Sequence, residues 1–241
     1  MLDFLGIGSR KGATTWLFKR LAMHPETYFP FGKEAHYWNN GRFGGLYLQV
    51  FREANFARSN GWKSGEITPG YAVLPPEIID KIKATFPDAK IFITAREPVG
   101  RVMSSVQMFC RQNGVDAATL GVDELRRICV ENDIIFDRGR YGTILRNWSE
   151  RFPVKIILCD DIADAPRATL KDLCRYIGID DTFFDVIPDH VLRQRVHVEQ
   201  PLPIPPAFRQ WVVEQSEGDI RAVEHATGRD LSSWRIMSQQ S

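Results

Sequence analysis

Lys11, Thr14 and Thr15 are the first residues of this chain whose types and spacing suit a chemical task. They follow Leu2-Asp3-Phe4-Leu5-Gly6-Ile7-Gly8, which reads as a short buried strand, and Thr14-Thr15-Trp16-Leu17 opens a helix. Between the two lies Ser9-Arg10-Lys11-Gly12-Ala13, a small-residue turn with two cations. A strand, a tight turn and a helix N-terminus offer an anion the unpaired first-turn N–H groups and the positive end of the helix dipole. Lys11 and the two hydroxyls complete a cradle for the phosphate of a nucleotide-like ligand. The ATP-binding pattern G-x-x-x-x-G-K-[ST] is not met, because Lys11 stands three residues before Thr14. An ordinary strand-to-helix turn with a solvated Arg-Lys pair fits the same residues.

A second constellation repeats this logic. Lys90-Ile91-Phe92-Ile93-Thr94-Ala95 reads as a buried strand ending in Arg96-Glu97-Pro98, and the next helix carries Ser104 and Ser105. In open parallel sheets ligands sit beyond the carboxyl ends of strands, where Arg96 would emerge. Ser104 lies about two turns along its helix, so it shares a ligand with Arg96 only over a folded-back path. A surface arginine paired with Glu97 is the competing reading.

The elements that must position these groups alternate between strand-like and helical runs, which points to a parallel sheet covered by helices. Helical patterns run over Thr14 to Met23, Leu46 to Arg58, Pro75 to Phe86, Val99 to Cys110, Asp123 to Val130, Tyr141 to Phe152 and Ala165 to Ile177, the last capped by Gly178. Val154 to Cys159 is a further buried strand. Val191 to Pro206 reads as an irregular surface loop, and Ala207 to Thr227 as a helix with a break near Gly218. With 241 residues and no shift of composition, the chain is expected to form one domain, 1–241.

A net charge of +1 without a long basic run disfavours nucleic-acid coating but allows a local basic pocket. No apolar run approaches a membrane span. Cys110, Cys129, Cys159 and Cys174 are scattered singles without metal-ligand spacing, which suits a reducing cytoplasm, and Cys159 reads as a buried small hydrophobe.

Together these segments resemble the PAPS-dependent sulfotransferases, PAPS being 3′-phosphoadenosine-5′-phosphosulfate, over nearly the whole chain. Gly8 to Leu17 is similar to that family's 5′-phosphosulfate loop, with Ala13 where the family carries Gly. If that position needs a positive φ, Ala13 is strained. Arg96 and Ser104 match the 3′-phosphate segment. Pro30-Phe31-Gly32-Lys33-Glu34-Ala35-His36-Tyr37-Trp38 resembles the Lys-Glu-x-His-aromatic run of heparan-type and many bacterial carbohydrate sulfotransferases. Gly65-Glu66-Ile67-Thr68-Pro69-Gly70-Tyr71 resembles their Glu-x-Thr/Ser-Pro-x-Tyr run, with Ile67 where several relatives have Lys. Gly228 to Trp234 is similar to the closing segment.

The resemblance implies a three-layer α/β fold like that of the P-loop NTPases, a central parallel sheet flanked by helices. It implies sulfuryl transfer from PAPS to a hydroxyl or amine, leaving adenosine 3′,5′-bisphosphate, with no metal. Arg10, Lys11, Gly12, Ala13, Thr14, Thr15 and Trp16 would hold the nucleotide, with Trp16 on the adenine or, equally, in the core. Arg96 and Ser104 would hold its 3′-phosphate, joined by Arg195 from the loop that also carries Arg193 and His197. Lys11 would stabilise the leaving group and Glu34 would act as base. His36 would share the face of Glu34 if the run is extended, or be structural. Glu66 and Tyr71 suit either the acceptor pocket or the core. Phe31, Tyr37, Trp38, Phe43 and Tyr47 are candidates to line a pocket for a glycan or small-molecule acceptor. Two other readings remain at this stage: a P-loop kinase or nucleotide hydrolase using Asp160-Asp161 for Mg²⁺, and a non-catalytic nucleotide-binding module.

Overall fold

The opening apolar run forms the middle strand of a sheet, because its side chains alternate between two hydrophobic layers. Leu5 and Ile7 enter one layer and Phe4 the other, all fully buried. The structure, a computed structural model, describes residues 2–39, 47–196 and 202–236. Its first half runs β1 (Phe4–Gly8), α1 (Thr14–Leu21), β2 (Thr27–Tyr28), α2 (Tyr47–Ser59), β3 (Lys63–Ile67), α3 (Pro76–Thr85), β4 (Lys90–Ala95) and α4 (Pro98–Gln112). The second half runs α5 (Val122–Glu131), α6 (Ile134–Asp137), α7 (Tyr141–Ser149), β5 (Val154–Leu158), α8 (Cys159–Asp164), α9 (Pro166–Ile177), α10 (Asp189–Arg193) and α11 (Pro206–Thr227).

The strands form one sheet in the order β2-β3-β1-β4-β5, with every pairing parallel. Residues from α3, α7 and α11 (Ile79, Ile82, Ile144, Trp148, Ile220, Val223) cover one face. Residues from α1 and α9 (Trp16, Leu17, Leu21, Leu170, Leu173, Ile177) cover the other. This is the expected three-layer α/β architecture. Consecutive parallel strands lead away from β1 on one side and on from β4 on the other, so the crevice between the carboxyl ends of β1 and β4 is the switch point of the sheet.

Most helices fall where the apolar spacing predicts them. The strand Lys63–Ile67 is absent from the sequence reading, since Lys-Ser-Gly-Glu-Ile has no apolar alternation. It is buried because Phe4 lies across Gly65, where an added Cβ would meet the ring at 2.0 Å. The break expected near Gly218 does not occur, and α11 is continuous over 22 residues. One mid-helix glycine costs about 1 kcal/mol, which the burial of Phe208, Val212, Ile220 and Val223 outweighs. The supposed loop from Val191 begins inside α10, with Leu192 fully buried. His197 lies outside the described residues. Cys159 opens α8 half-buried rather than ending a buried strand, while Cys110, Cys129 and Cys174 are buried. Among the described residues no helix is long and apolar enough to cross a membrane.

Candidate anion-binding and transfer site

The turn after β1 is held in shape by its neighbour β4. The Ser9 N–H donates to the Thr94 carbonyl at 3.1 Å and to Thr94 Oγ1 at 3.0 Å, and Thr94 Oγ1 donates to the Gly8 carbonyl at 2.9 Å. The chain then doubles back so closely that a Cβ on Gly12 would lie 2.6 Å from both Ser9 Oγ and Thr94 Oγ1. Only glycine fits there. Ala13, the N-cap of α1, sits at φ 60°, ψ 17°, in the left-handed region, and gives the helix no side-chain cap. The first turn of α1 therefore lacks the side-chain cap that a serine or aspartate would supply at this position. Thr14 is buried and Thr15 half-buried at this end.

The strain expected at Ala13 is therefore present. A left-handed non-glycine residue costs about 1–2 kcal/mol, partly offset because alanine restricts the unfolded chain by about 0.4–1 kcal/mol. Ala13→Gly should raise stability by about 0.5–1 kcal/mol in urea melts. A lower midpoint for the glycine variant would show that the turn is not strained.

Arg96 leaves β4 directly beside this turn. Its Nη1 donates to the Lys11 carbonyl at 3.1 Å, so the two expected cationic segments form one structure. Pairing of Arg96 with Glu97 is loose, 4.0 Å from Nε to Oε1, and the Glu97 carboxylate instead caps α4 by accepting the Gly100 N–H at 2.7 Å. Burial pushes the Glu97 carboxyl up, against the pull of that N–H and of Arg96. Ser104 is half-buried on α4, whereas Ser105 is buried and bonds back to the Arg101 carbonyl. One turn beyond Ser104 on α4, Met108 Sδ receives Arg10 at 3.6 Å and Lys11 Nζ at 4.0 Å.

The sequence reading missed Tyr141, which joins the two segments. Its buried hydroxyl accepts the Arg96 N–H at 2.9 Å and lies 3.1 Å from Ser9 Oγ. The sequence reading placed it only at the start of a helical pattern, Tyr141 to Phe152. The phenol oxygen at the start of a core-facing helix, which needs a hydrogen-bond partner when buried, is the signal that was available.

Beside β3, the segment around Lys33 to Asn39 supplies the carboxylate. The Glu34 N–H donates to the Ile67 carbonyl at 3.2 Å, placing Glu34 at the carboxyl edge of the sheet. Its Oε1 is paired with the Lys33 ammonium, and its Oε2 lies 3.4 Å from His36 Nε2. His36 Nδ1 in turn meets Asn39 Oδ1 at 3.2 Å. Burial lowers the Lys33 pKa to about 8. His36 does reach Glu34, but not through an extended run: Glu34 has φ 65° and His36 φ 56°. Lys11, Ala13, Glu34 and His36 are all the positive-φ non-glycine residues among those described, and each belongs to one of the two candidate segments. Such strain concentrates where a site, not packing, fixes the backbone.

Several assignments change. Trp16 is a core residue: it is 6% exposed, its indole N–H donates to the Leu192 carbonyl at 2.8 Å and Arg20 lies over its ring, so no face is open for adenine. Glu66 and Tyr71 are structural. Glu66 is 4% exposed and accepts from Thr68 Oγ1 (2.5 Å), the Tyr71 hydroxyl (2.7 Å) and the His36 backbone N–H, which fixes the Glu34–His36 segment from below. Burial raises its pKa. Tyr37 and Trp38 lie in the core, with Phe31 packed against it. Phe43 and the side chain of Tyr47 lie outside what is described. Arg195 is exposed beyond α10, and no contact among the described residues ties it to the Lys11 turn. Asp160 accepts the Trp234 indole N–H at 2.8 Å and Asp161 pairs with Arg229 at 3.2 Å, so the closing segment occupies the two carboxylates a Mg²⁺ would need.

The site is thus a cationic turn at the switch point of a parallel five-stranded α/β sheet, with a carboxylate on the adjoining strand edge. Residues 73–183, just under half of the chain, match the model of the sulfotransferase family. The fold is similar over 98% of this chain and 99% of the other to that of the sulfotransferase from Alicyclobacillus acidocaldarius, at 24% identity and a TM-score of 0.75. It is also similar to the sulfotransferase domain of the curacin biosynthetic pathway (15% identity, 90% and 98% covered, TM-score 0.53). The sulfotransferase domain of the Synechococcus PCC 7002 olefin synthase is comparably similar (16%, 95% and 94%, TM-score 0.54). No curated protein matches in sequence. The chain thus has the fold of these sulfotransferases, and its residues 73–183 match that family's model. The matched segment contains Arg96, Ser104 and Tyr141 but not the Lys11 turn, so for that turn the geometry carries the argument.

Proposed function

We propose that the chain transfers a sulfuryl group from PAPS to a hydroxyl or amine, acting as one sulfotransferase unit. The observation that carries this reading is the bond from Arg96 Nη1 to the Lys11 carbonyl, which sets two cationic segments around one crevice. A nucleotide with phosphates at both ends matches such a pair, and a simple nucleoside monophosphate would leave one segment unused.

The residues fit the donor. The uncapped amides of α1, with Thr14 and Thr15 over the glycine-tight turn at Gly12, suit its 5′-phosphate. Arg96 and Ser104 suit its 3′-phosphate. PAPS supplies the sulfuryl group, held as a mixed anhydride with its 5′-phosphate. Lys11 stabilises the negative charge that develops on the bridging oxygen, as fixed charges do in phosphoryl transfer. Glu34 accepts the acceptor's proton, oriented by Lys33 and His36, while Glu66 fixes the backbone beneath. The kinase reading is weakened because Asp160 and Asp161 are engaged by Trp234 and Arg229.

The test is release of labelled sulfate from PAPS to a mixed panel of glycans, phenols and alcohols in excess chelator. Transfer should proceed undiminished, because Lys11 and Arg96 supply the charge. Phosphate transfer from ATP, lost on chelation, would replace this reading with the kinase one.

A further inference from the structure

Arg10 and Arg138 present a charge problem that the nucleotide does not solve. Arg138 follows α6, three residues before Tyr141, whose hydroxyl lies 3.1 Å from Ser9 Oγ, so Arg138 and Arg10 stand on segments joined by that contact. The backbone there is locked from below. Arg101, buried in the core, donates to the Ile135 and Phe136 carbonyls, and its guanidinium fills the space a Cβ on Gly139 would need. Both Arg10 and Arg138 are half-buried. Among the described residues, Arg138 Nε is shielded from solvent with no hydrogen-bond partner, and the one polar contact of Arg10 is the weakly accepting Met108 sulfur. Among the described residues neither is paired with a carboxylate. Burial and the charge of Arg138 both push the Arg10 pKa down. Two half-buried guanidiniums on adjoining segments without a carboxylate partner favour an anion between them.

The place of that anion follows from α4. Arg96 and Ser104 mark the nucleotide's 3′ end, and Met108 lies one turn further along the same face. Lys11, beside the bond to be broken, reaches the same sulfur from the turn. The seat therefore adjoins the transfer point but lies outside both phosphate sets.

We propose that Arg10 and Arg138 form a seat for an anionic group on the acceptor, so that the preferred acceptor carries a carboxylate, sulfate or phosphate close to the hydroxyl or amine sulfated. The proposal rests on the sulfotransferase reading above and reassigns Arg10 from nucleotide to acceptor. A planar guanidinium pair suits bidentate binding of such a group.

The experiment titrates inorganic sulfate by calorimetry into protein already saturated with adenosine 3′,5′-bisphosphate. The wild type should take up one further sulfate. Arg138→Gln should weaken that step at least tenfold while changing bisphosphate affinity less than twofold, and Arg138→Lys should restore part of it. Among acceptors that turn over, anionic ones should lose at least tenfold in kcat/KM with Arg138→Gln, through KM, and neutral ones should not. No further sulfate in the saturated wild type, or a bisphosphate affinity that falls with the sulfate affinity, would overturn the proposal. Failure of the bisphosphate itself to bind would instead strike the sulfotransferase reading. Arg138-dependent sulfate binding in the nucleotide-free protein would then still support the seat.

Discussion

Lys11→Ala is expected to lower kcat for sulfate transfer by about 10²- to 10³-fold, the cost typical of removing one preorganised donor from developing charge. Affinity for adenosine 3′,5′-bisphosphate should fall by far less, because the bridging charge arises only as the bond breaks. The left-handed backbone of Lys11, φ 64°, is one alanine tolerates no worse than lysine. Lys11→Met, which keeps the stem against Met108, should behave as the alanine variant does. Single-turnover rates with bound PAPS make the measurement. A kcat unchanged in both variants would remove Lys11 from the transition state, and equal losses in kcat and bisphosphate affinity would make it a ground-state ligand.

Glu34→Gln is expected to cost about 10²- to 10⁴-fold in kcat, the span seen when a general base is lost. The amide keeps the shape that Lys33 and His36 hold but cannot accept a proton. Circular dichroism and the melting midpoint should show the fold intact, because Glu34 is more than a third exposed and its ion pairs contribute little stability. The His36 ring, 3.4 Å from the same carboxylate, offers an alternative base. If Glu34→Gln retains full activity while His36→Ala loses it, the proton goes to the histidine.

The sequence made the sheet legible where strands are largely apolar, as in β1, β4 and β5, because burial on both faces leaves a near-continuous apolar run. It concealed β3, which is buried by Phe4 rather than by its own side chains. In the site, Lys11, Thr14, Thr15 and Arg96 could be read because a strand–turn–helix order alone places them at a carboxyl edge. Three things could not. The left-handed backbone at Glu34 and His36 depends on Glu66, some thirty residues away, accepting the His36 N–H. Trp16 looks the same in sequence whether it faces a ligand or the core, and the Leu192 carbonyl decides. Tyr141 and Arg138 join the site only through helix packing distant in sequence.

The central claim is that the Lys11 turn and Arg96 grip opposite ends of one doubly phosphorylated adenosine. Calorimetric titration of wild type and Arg96→Ala with adenosine 3′,5′-bisphosphate and with 5′-AMP tests it most directly. The wild type should bind the bisphosphate at least about tenfold more tightly than 5′-AMP, as one charge-assisted arginine–phosphate contact supplies, and Arg96→Ala should abolish that difference while leaving 5′-AMP binding nearly unchanged. Equal affinity of the wild type for the two ligands, or equal losses for both in the variant, would contradict it.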